Sequence, residues 1–581
     1  MTMPSVTDLV ALFKEQWNNL TSPGAKFGMT ETEVLGIPMR VLESAPANMR
    51  DIWAFSAGYG DARYLVFEDE SLTYNEAHAR VRSLAAELVV AGIGRGDRVA
   101  VAMRNYPEWV LSYWAIISTG AACVGMNAWW TTKEMEYALT DSEPKVLICD
   151  DERLERVLPI HDAMHEAFGM TLISVRSDRA LPADGRRWSD VVNADDAPEN
   201  LPAVEIDPDD DMCIFYTSGT TGFPKGAQLT HRGSVHNLLH IAFMQDVPKG
   251  MAAAQGVDVE AMAAAGPQPC VMAPTPLFHV TANNCLLHPA TAVGGAVVLT
   301  KKWDPARALE LIERERVTSL SGVPTMAREL VNHPDWKSRD TSSMQSMGGG
   351  GAAFQPDLVA KIGDSLETGV PSTGYGLTET HGIVTANNSA MYLAKPASCG
   401  PVVPTCDAVI RDELGGDLPQ GETGVLWVKG PVVIKGYLNK PEATAEAIQN
   451  GWFNTGDIAY IDKDGFVFIV DRAKDIVLRG GENIYCSDVE SAIYEHPAVA
   501  EAAVFGVPDD RLGEEVGMAV VLQDGASLDE AGAREFLAER IAGYKIPRYF
   551  WFLDDHLPRN ANGKFLKRTL KDELLRDGRY G

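Results

Sequence analysis

The sequence predicts an α/β protein in several lobes: helix-covered sheets first, then a β-rich meander or small barrel, then a separate small domain. Three observations carry this. From about residue 70, apolar strand runs alternate with amphipathic helical segments. After about residue 400, short strands are parted by Gly, Asp and Pro turns. From about residue 475, a compact stretch has its own β–α–β pattern. At 581 residues the chain also exceeds what one hydrophobic core spans.

The elements follow in order. Thr73-x-x-Glu76 is a capping box opening a helix to about Val90, stopped by Gly92. Residues 98–103 read as a buried strand, Pro107 starts a helix that ends near Gly120, and 121–126 form the next strand. Thr131-x-x-Glu134 caps another helix, followed by a strand at 145–149. Such strand–helix–strand units build parallel sheets covered by helices. The unit recurs as strand 296–300, helix 306–316 and strand 317–322. Strands at 425–429, 458–461 and 466–470 then suit a meander or small barrel. In the last domain, 487–495 and 528–541 read as helices, and 500–507 and 516–522 as strands. Residues 248–269, rich in Ala, Met and Gly, suit a surface loop with a short helix, or a mobile cover over a pocket.

The formal charge is −29. It argues against nucleic acid and anionic membrane surfaces as partners, so any anionic ligand must be met by local cations. No run is apolar enough to cross a membrane, and no basic segment with an apolar core marks a signal peptide. The cytoplasm follows as the default. Cys123, Cys149, Cys213, Cys270, Cys285, Cys399, Cys406 and Cys486 are scattered without a C-x-x-C pair, as buried free thiols in a reducing compartment would be.

The richest motif is Thr217-Ser-Gly-Thr-Thr-Gly-Phe-Pro-Lys-Gly226, directly after the apolar run 212–216. Glycines let backbone N–H groups approach an anion, hydroxyls add neutral donors, and the lysine adds a point charge. The composition suits a polyphosphate. It is not a Walker A loop, because Phe223-Pro224 separates Gly222 from Lys225. Further motifs are Pro276-Leu-Phe-His-Val280, Gly348-Gly-Gly-Gly-Ala-Ala353, Tyr375-Gly-Leu-Thr-Glu-Thr380, Gly451-Trp-Phe-Asn-Thr-Gly-Asp457, Asp471-Arg-Ala-Lys474, Gly480-Gly-Glu-Asn483 and Pro558-Arg-Asn-Ala-Asn-Gly-Lys564. Singly most are weak; His279 alone reads equally as a packed core histidine.

Together and in this order, these motifs resemble the adenylate-forming superfamily, in its acyl-CoA synthetase branch, from about residue 50 to about residue 570. The resemblance implies a large N-terminal domain of two helix-covered β-sheet subdomains plus a small β-barrel, followed by a small mobile α+β C-terminal domain. The boundaries it implies are an extension over 1–50, the AMP-binding domain over 51–471, a hinge over 472–475 and the mobile domain over 476–581. It implies an ATP-dependent acid–CoA ligase. A carboxylate is adenylated with release of pyrophosphate, then transferred to coenzyme A with release of AMP. Both partners of the first step are anions, so it proceeds only where cations neutralise the oxygens that gather charge.

Residue by residue, the resemblance makes Lys564 the cation bridging the carboxylate and the α-phosphate. Thr217, Ser218, Gly219, Thr220, Thr221, Gly222 and Lys225 would cradle the other phosphates. Thr378 would donate to the α-phosphate, and Glu379, with Thr217, would reach Mg²⁺. Asp457 would accept the ribose hydroxyls beside Arg472. Tyr375 and Gly376 would flank adenine, with Gly351, Ala352 and Ala353 on its other face. Lys474 would be the hinge, and Gly480 and Gly481 would line the thiol tunnel after rotation. His279, Val280, Ser321, Gly322, Val323, Gly349, Tyr375 and Gly376 would line the acyl pocket, with His279 at its gate.

The acid is less legible. Glycine at 376, where acetate-specific relatives carry Trp, suggests a deep cavity, and no charged pair in these motifs would read an amino acid. A medium- or long-chain fatty acid, and hence fatty-acid metabolism, is the first expectation; an aryl, arylalkanoic or sterol-side-chain acid follows closely. Asn127-Ala-Trp-Trp130 departs from the Asn-Pro of many relatives. An acyl-AMP ligase serving a carrier protein and an inactive nucleotide-binding regulator are the competing readings. Oligomeric state stays open, a homodimer included.

Overall fold

A computed structural model describes residues 5–576 apart from 218–222, 262–265, 353, 368, 481 and 562. Two eight-stranded sheets make up the N-terminal part. The first runs, edge to edge, Gly436–Tyr437, Lys225–Thr230, Asp211–Thr217, Ala122–Gly125, Arg98–Ala102, Val146–Asp150, Thr171–Val175 and Arg186–Arg187. From Asp211–Thr217 onward every pairing is parallel. The crossover helices start where their caps predict. Thr73 and Thr131 close capping boxes onto Tyr74–Val90 and Thr132–Ser142.

The second sheet runs Gly382–Asn388, Val370–Leu377, Ser346–Gly349, Ser319–Gly322, Cys270–Ala273, Ala296–Leu299, Arg63–Phe67 and Glu70–Thr73. Its inner pairings are parallel, with Gly322 opposite Gly349 and Gly349 opposite Thr373. One apolar core joins the two sheets: Val99, Val101 and Cys123 share it with Ala273, Val297 and Leu299. In each sheet the carboxyl ends of parallel strands open on one edge, where such sheets bind ligands.

The expected barrel is a six-stranded antiparallel sheet, ordered Gly400–Pro401, Phe466–Arg472, Trp452–Ile461, Gly424–Lys429 and Asp407–Arg411, with Ile448–Gln449 on Trp452–Ile461. Its outermost strands are not paired to each other among the described residues, which corrects closure. Trp452–Ile461 is also longer than 458–461. The polar Asn454-Thr455-Gly456 and a register shift at Ile458/Ala459 break the alternation that marks a strand in sequence.

The last domain is mostly antiparallel rather than β–α–β. Val499–Asp509 and Gly513–Leu522 form a long hairpin, Val477–Arg479 and Glu482–Ile484 a short one, and Tyr549–Leu553 adds the parallel pairing. Helices Cys486–Tyr494 and Glu530–Ala538 cover it.

The N-terminal residues are ordered against the body. Helix Val6–Thr21 packs on helix His231–Ala254, with Trp17 edge-on to Phe243 at 4.6 Å. Leu42 N–H donates to His236 Nε2 and Met49 N–H to His231 Nδ1, each at 3.2 Å. The segment 248–269 therefore begins as helix, not loop. Pro248 lies inside His231–Ala254, and Met251 is buried. A Cβ on Gly250 would come 2.7 Å from Gln16 Oε1, so packing against the first helix carries this one past its proline. No helix among the described residues is long and apolar enough to cross a membrane.

Candidate active site

Lys564 leaves a tight turn. Its N–H donates to Asn560 Oδ1 at 3.0 Å, its carbonyl accepts from Asn560 N–H at 2.8 Å, and Gly563 takes φ +79. A Cβ on Gly563 would stand 3.0 Å from Val323, so the turn lies on the end of strand Ser319–Gly322. A Cβ on Gly351 would stand 3.2 Å from Lys564 Cε and 3.9 Å from its Nζ. The C-terminal domain thus places its lysine over the glycine run of the second sheet. Arg559 pairs with Glu329 at 3.3 Å, and the Arg328 guanidinium lies 4.9 Å from the Tyr494 ring centre, across the same boundary. Burial first, then the Arg472 cation, pushes Lys564 down to about 8, with Asp457 and Glu379 opposing.

Asp457 faces Lys564 from strand Trp452–Ile461, opposite Arg472 in register. Tyr375 OH donates to Asp457 Oδ2 at 2.6 Å, and Arg472 Nε lies 3.3 Å from Oδ1. Burial raises the Asp457 carboxyl against the pull of Arg472. The register shift between Tyr375 and Gly376 turns the strand here, and Thr378–Thr380 closes it as a 3₁₀ turn. Thr380 Oγ1 accepts from Leu377 N–H at 2.9 Å and donates to Leu377 O and Gly382 O; it is buried, while Thr378 is partly exposed.

Glu379 is tied to the phosphate loop through Tyr437. Tyr437 OH donates to Glu379 Oε1 at 2.9 Å, and Lys225 Nζ stands 4.4 Å from the Tyr437 ring centre. His381 locks this corner. Its Nε2 accepts from Thr230 N–H at 2.7 Å and its Nδ1 pairs with Val432 O at 2.6 Å, so the neutral ring joins the first sheet to the segment beside Glu379. Burial pushes His381 down to about 4. Sequence reasoning missed Tyr437, His381 and Thr380. Tyr437 is one of sixteen tyrosines, and only its fold neighbours give it a role. His381 directly follows Glu379-Thr380, and that adjacency was the available signal.

His279 is partly buried and pushed down to about 3, by burial and by the Lys564 charge. The ring is therefore neutral, within range of the lysine charge. Val280 is buried and Val323 touches both Gly351 and Gly563. The depth argument from Gly376 needs correction: a Cβ there would lie 1.6 Å from Gly382 O, so close strand approach requires the glycine. Gly349 is held by the same kind of contact, its Cβ position 1.9 Å from Gly322 O at φ +145. Gly480, at φ +60, turns a hairpin of the C-terminal domain, and its N–H donates to Leu512 O at 2.8 Å. Lys474 lies in the turn between strands Phe466–Arg472 and Val477–Arg479, and Ala352 is exposed. Thr217 Oγ1 lies 3.5 Å from Lys225 O. Ser218, Gly219, Thr220, Thr221, Gly222, Ala353 and Gly481 lie outside the described residues. Lys564, Gly351, Asp457, Arg472, Tyr375, Glu379 and His279 do converge.

Residues 52–438 match the family described as AMP-binding enzyme, and residues 488–564 match the AMP-binding enzyme C-terminal domain. The chain belongs to the AMP-binding enzyme family. It is 38% identical over 504 residues to a feruloyl-CoA synthase of Amycolatopsis sp, covering 86% of this chain and 94% of that one. It is 34% identical over 540 residues to a long-chain-fatty-acid–CoA ligase of Bacillus subtilis (strain 168), covering 89% and 93%. The ATP-bound crystal structure of MatB from Rhodopseudomonas palustris superposes with a TM-score of 0.78 at 31% identity, over 92% of this chain and all of that one.

This AMP-binding enzyme is an AMP-forming acid–CoA ligase using ATP, Mg²⁺ and coenzyme A. Its residues fit the metal. Among the described residues no three His, Cys, Asp or Glu side chains form a metal cluster. One carboxylate, Glu379, beside the phosphate loop suits a Mg²⁺ that takes its other ligands from phosphate oxygens and water.

Proposed function

We propose that the acid is an aromatic one of the arylalkenoate type, adenylated beside Lys564 and then passed to coenzyme A. The observation that carries this is the polar face next to His279. In the otherwise buried segment from Val280 to His288, Thr281, Cys285 and Pro289 beyond it stay partly exposed, and Thr281 and Cys285 stand four residues apart. A Cβ on Gly382 would meet Cys285 Sγ at 2.7 Å, so Cys285 lies against the start of strand Gly382–Asn388, the antiparallel partner of the strand carrying Tyr375. A face of Thr281 and Cys285 is a poor lining for an unbranched alkyl chain but can meet ring hydroxyl or methoxyl groups. The 38% identity to a feruloyl-CoA synthase points the same way. The fatty acid put first on sequence keeps the 34% relative in its favour and is the second reading.

In the first half reaction, Lys564 neutralises the charge that gathers between carboxylate and α-phosphate. Lys225 and the phosphate loop hold the departing pyrophosphate and Thr378 donates to the α-phosphate; Glu379 and Thr217 would hold Mg²⁺, which would supply further positive charge to the phosphate oxygens. Tyr375 stacks on adenine while its hydroxyl keeps Asp457 turned to the ribose. Neutral His279 adds no second charge at the carbonyl. For the second half reaction, the C-terminal domain turns about Lys474, withdraws Lys564 and brings Gly480 and Gly481 to the thiol path. The short turn over 473–475, which joins strands Phe466–Arg472 and Val477–Arg479, supports a hinge. The test is coenzyme-A-dependent AMP production with acids from acetate to octadecanoate, benzoate, cinnamate and hydroxycinnamates. The proposal expects hydroxycinnamates to give the highest kcat/KM; higher values for long alkanoates overturn it.

A further inference from the structure

The turn that ends in Lys564 is held from both sides of the domain boundary. Its own domain holds it through Glu501, a buried carboxylate in strand Val499–Asp509. Glu501 Oε2 accepts from Leu557 N–H at 2.8 Å, and Oε1 meets His556 Nδ1 at 2.6 Å and Arg559 Nη2 at 2.5 Å. Arg559 pairs in turn with Phe565 as an antiparallel bridge, and Leu566 N–H donates to Pro558 O at 2.7 Å. That pairing encloses the turn from Asn560 to Lys564, so Arg559 stands at its root.

The other arm of Arg559 leaves the domain. Its Nη1 donates to Glu329 Oε1 at 3.3 Å. Glu329 belongs to helix Pro324–Asn332, which begins directly after strand Ser319–Gly322 and Val323. It is a prepared receptor, because its Oε2 already accepts from Trp303 Nε1 at 2.6 Å and Oε1 is left for Arg559. The start of the same helix carries the lysine turn: a Cβ on Gly563 would stand 3.0 Å from Val323 and 3.8 Å from Met326 Cε. Among the described residues no other ion pair joins the chain before the 473–475 turn to the chain after it. Arg328 meets the Tyr494 ring across the boundary, but its fork is spent on Asp357 of its own domain, at 2.8 and 3.2 Å.

We propose that Arg559 is a positioning residue for adenylation alone: its guanidinium, anchored on Glu501, reaches Glu329 and so holds Lys564 over the glycine run of the second sheet. This rests on the reading above in which Lys564 serves the first half reaction and is withdrawn for the second. Arginine suits the task because its planar fork serves two carboxylates at once in fixed geometry, which a lysine ammonium on a flexible stem does not. The Arg559–Glu329 pair is partly exposed, so it is weak enough to break in each turnover. When the domain turns, Glu329 keeps Trp303 and Arg559 keeps Glu501, and neither domain loses its internal bonds.

The experiment compares wild type, Glu329→Gln, Glu329→Lys, Arg559→Gln and the double variant Glu329→Gln/Arg559→Gln in two arms. One arm is pyrophosphate release from acid and ATP without thiol; the other is thioester formation from supplied acyl-AMP and coenzyme A. Glu329→Gln is the decisive variant, because it leaves the C-terminal domain untouched and still offers Trp303 an acceptor. It should lower kcat/KM for adenylation about fivefold, the loss of one partly exposed charge pair, and leave thioester formation at the wild-type rate or above. Glu329→Lys sets two cations face to face and should lose more, again in the first arm only. Arg559→Gln should lose at least as much as Glu329→Gln, and the double variant should be no slower than Arg559→Gln, because the partner is already gone. Unchanged adenylation in Glu329→Gln, equal losses in both arms, or losses that multiply in the double variant overturn the positioning role. Lys564→Ala in the same assay keeps the two failures apart: pyrophosphate release at the wild-type rate in that enzyme overturns the reading beneath the proposal, whatever Arg559 does.

Discussion

Lys564 should set an alkaline limit on adenylation. Burial and the neighbouring Arg472 and Lys474 cations bring it from the ordinary 10.5 to about 8, while Asp457 and Glu379 pull the other way. The charged form does the work. At a value of about 8, about nine-tenths of the free enzyme carries the ammonium at pH 7 and about one-tenth at pH 9. The kcat/KM for acid, read as pyrophosphate release without thiol, should be level below about pH 7, halve near pH 8 and fall about tenfold per unit above pH 9. In kcat the limb should move to higher pH, because bound phosphates favour the ammonium. Arg472→Gln removes the largest cationic contribution, so the limb should also move up in kcat/KM, whatever happens to the absolute rate. Lys564→Arg carries a group that does not titrate in this range, so any remaining activity should lose the limb. A limb persisting at the same pH in Lys564→Arg would refute the assignment.

Three further outcomes follow from the same geometry. Gly351→Ala puts a Cβ 3.2 Å from Lys564 Cε at φ +83, so adenylation should fall about five- to thirtyfold for a strain of about 1–2 kcal/mol, while thioester formation from supplied acyl-AMP holds; equal losses would count against it. Tyr437→Phe removes the 2.9 Å hydrogen bond to Glu379 but keeps the ring under Lys225, so the Mg²⁺ requirement should rise and adenylation slow by about fivefold, about 1 kcal/mol; an unchanged Mg²⁺ titration sinks the link. His231, His236, His288 and His381 are buried and neutral, held at about 3, 4, 3 and 4. Their folded values lie below the unfolded 6.5, so their stabilisation is full above pH 6.5 and is lost as pH falls toward 4. Each costs about 1.4 kcal/mol per unit once well below 6.5. The Tm should therefore drop between pH 6.5 and 5, above the carboxylate range, and a level Tm there would contradict the burial.

The sequence carried the parallel sheets well because capping boxes at Thr73 and Thr131 and unbroken apolar strands are local signals. Lys564, Asp457 and Glu379, which the fold brings together, were legible for the same reason, because each sits in a short dense motif. What it missed depends on distant packing. Pro248 reads as a helix breaker until helix Val6–Thr21 is seen against it. Gly376 reads as pocket depth until Gly382 O is seen 1.6 Å from its absent Cβ. Tyr437 and His381 acquire roles only when the edge of the first sheet meets the Thr378–Thr380 turn. Strand Trp452–Ile461 hides because its middle is polar, and that polar middle is what delivers Asp457.

The most direct test is the Lys564→Ala enzyme assayed in two arms, pyrophosphate release from acid and ATP, and thioester formation from supplied acyl-AMP and coenzyme A. The account predicts that the first arm is lost and the second stays near wild type, because Lys564 acts only while it lies over Gly351. Pyrophosphate release persisting at the wild-type rate, or both arms lost together in a folded enzyme, would contradict it.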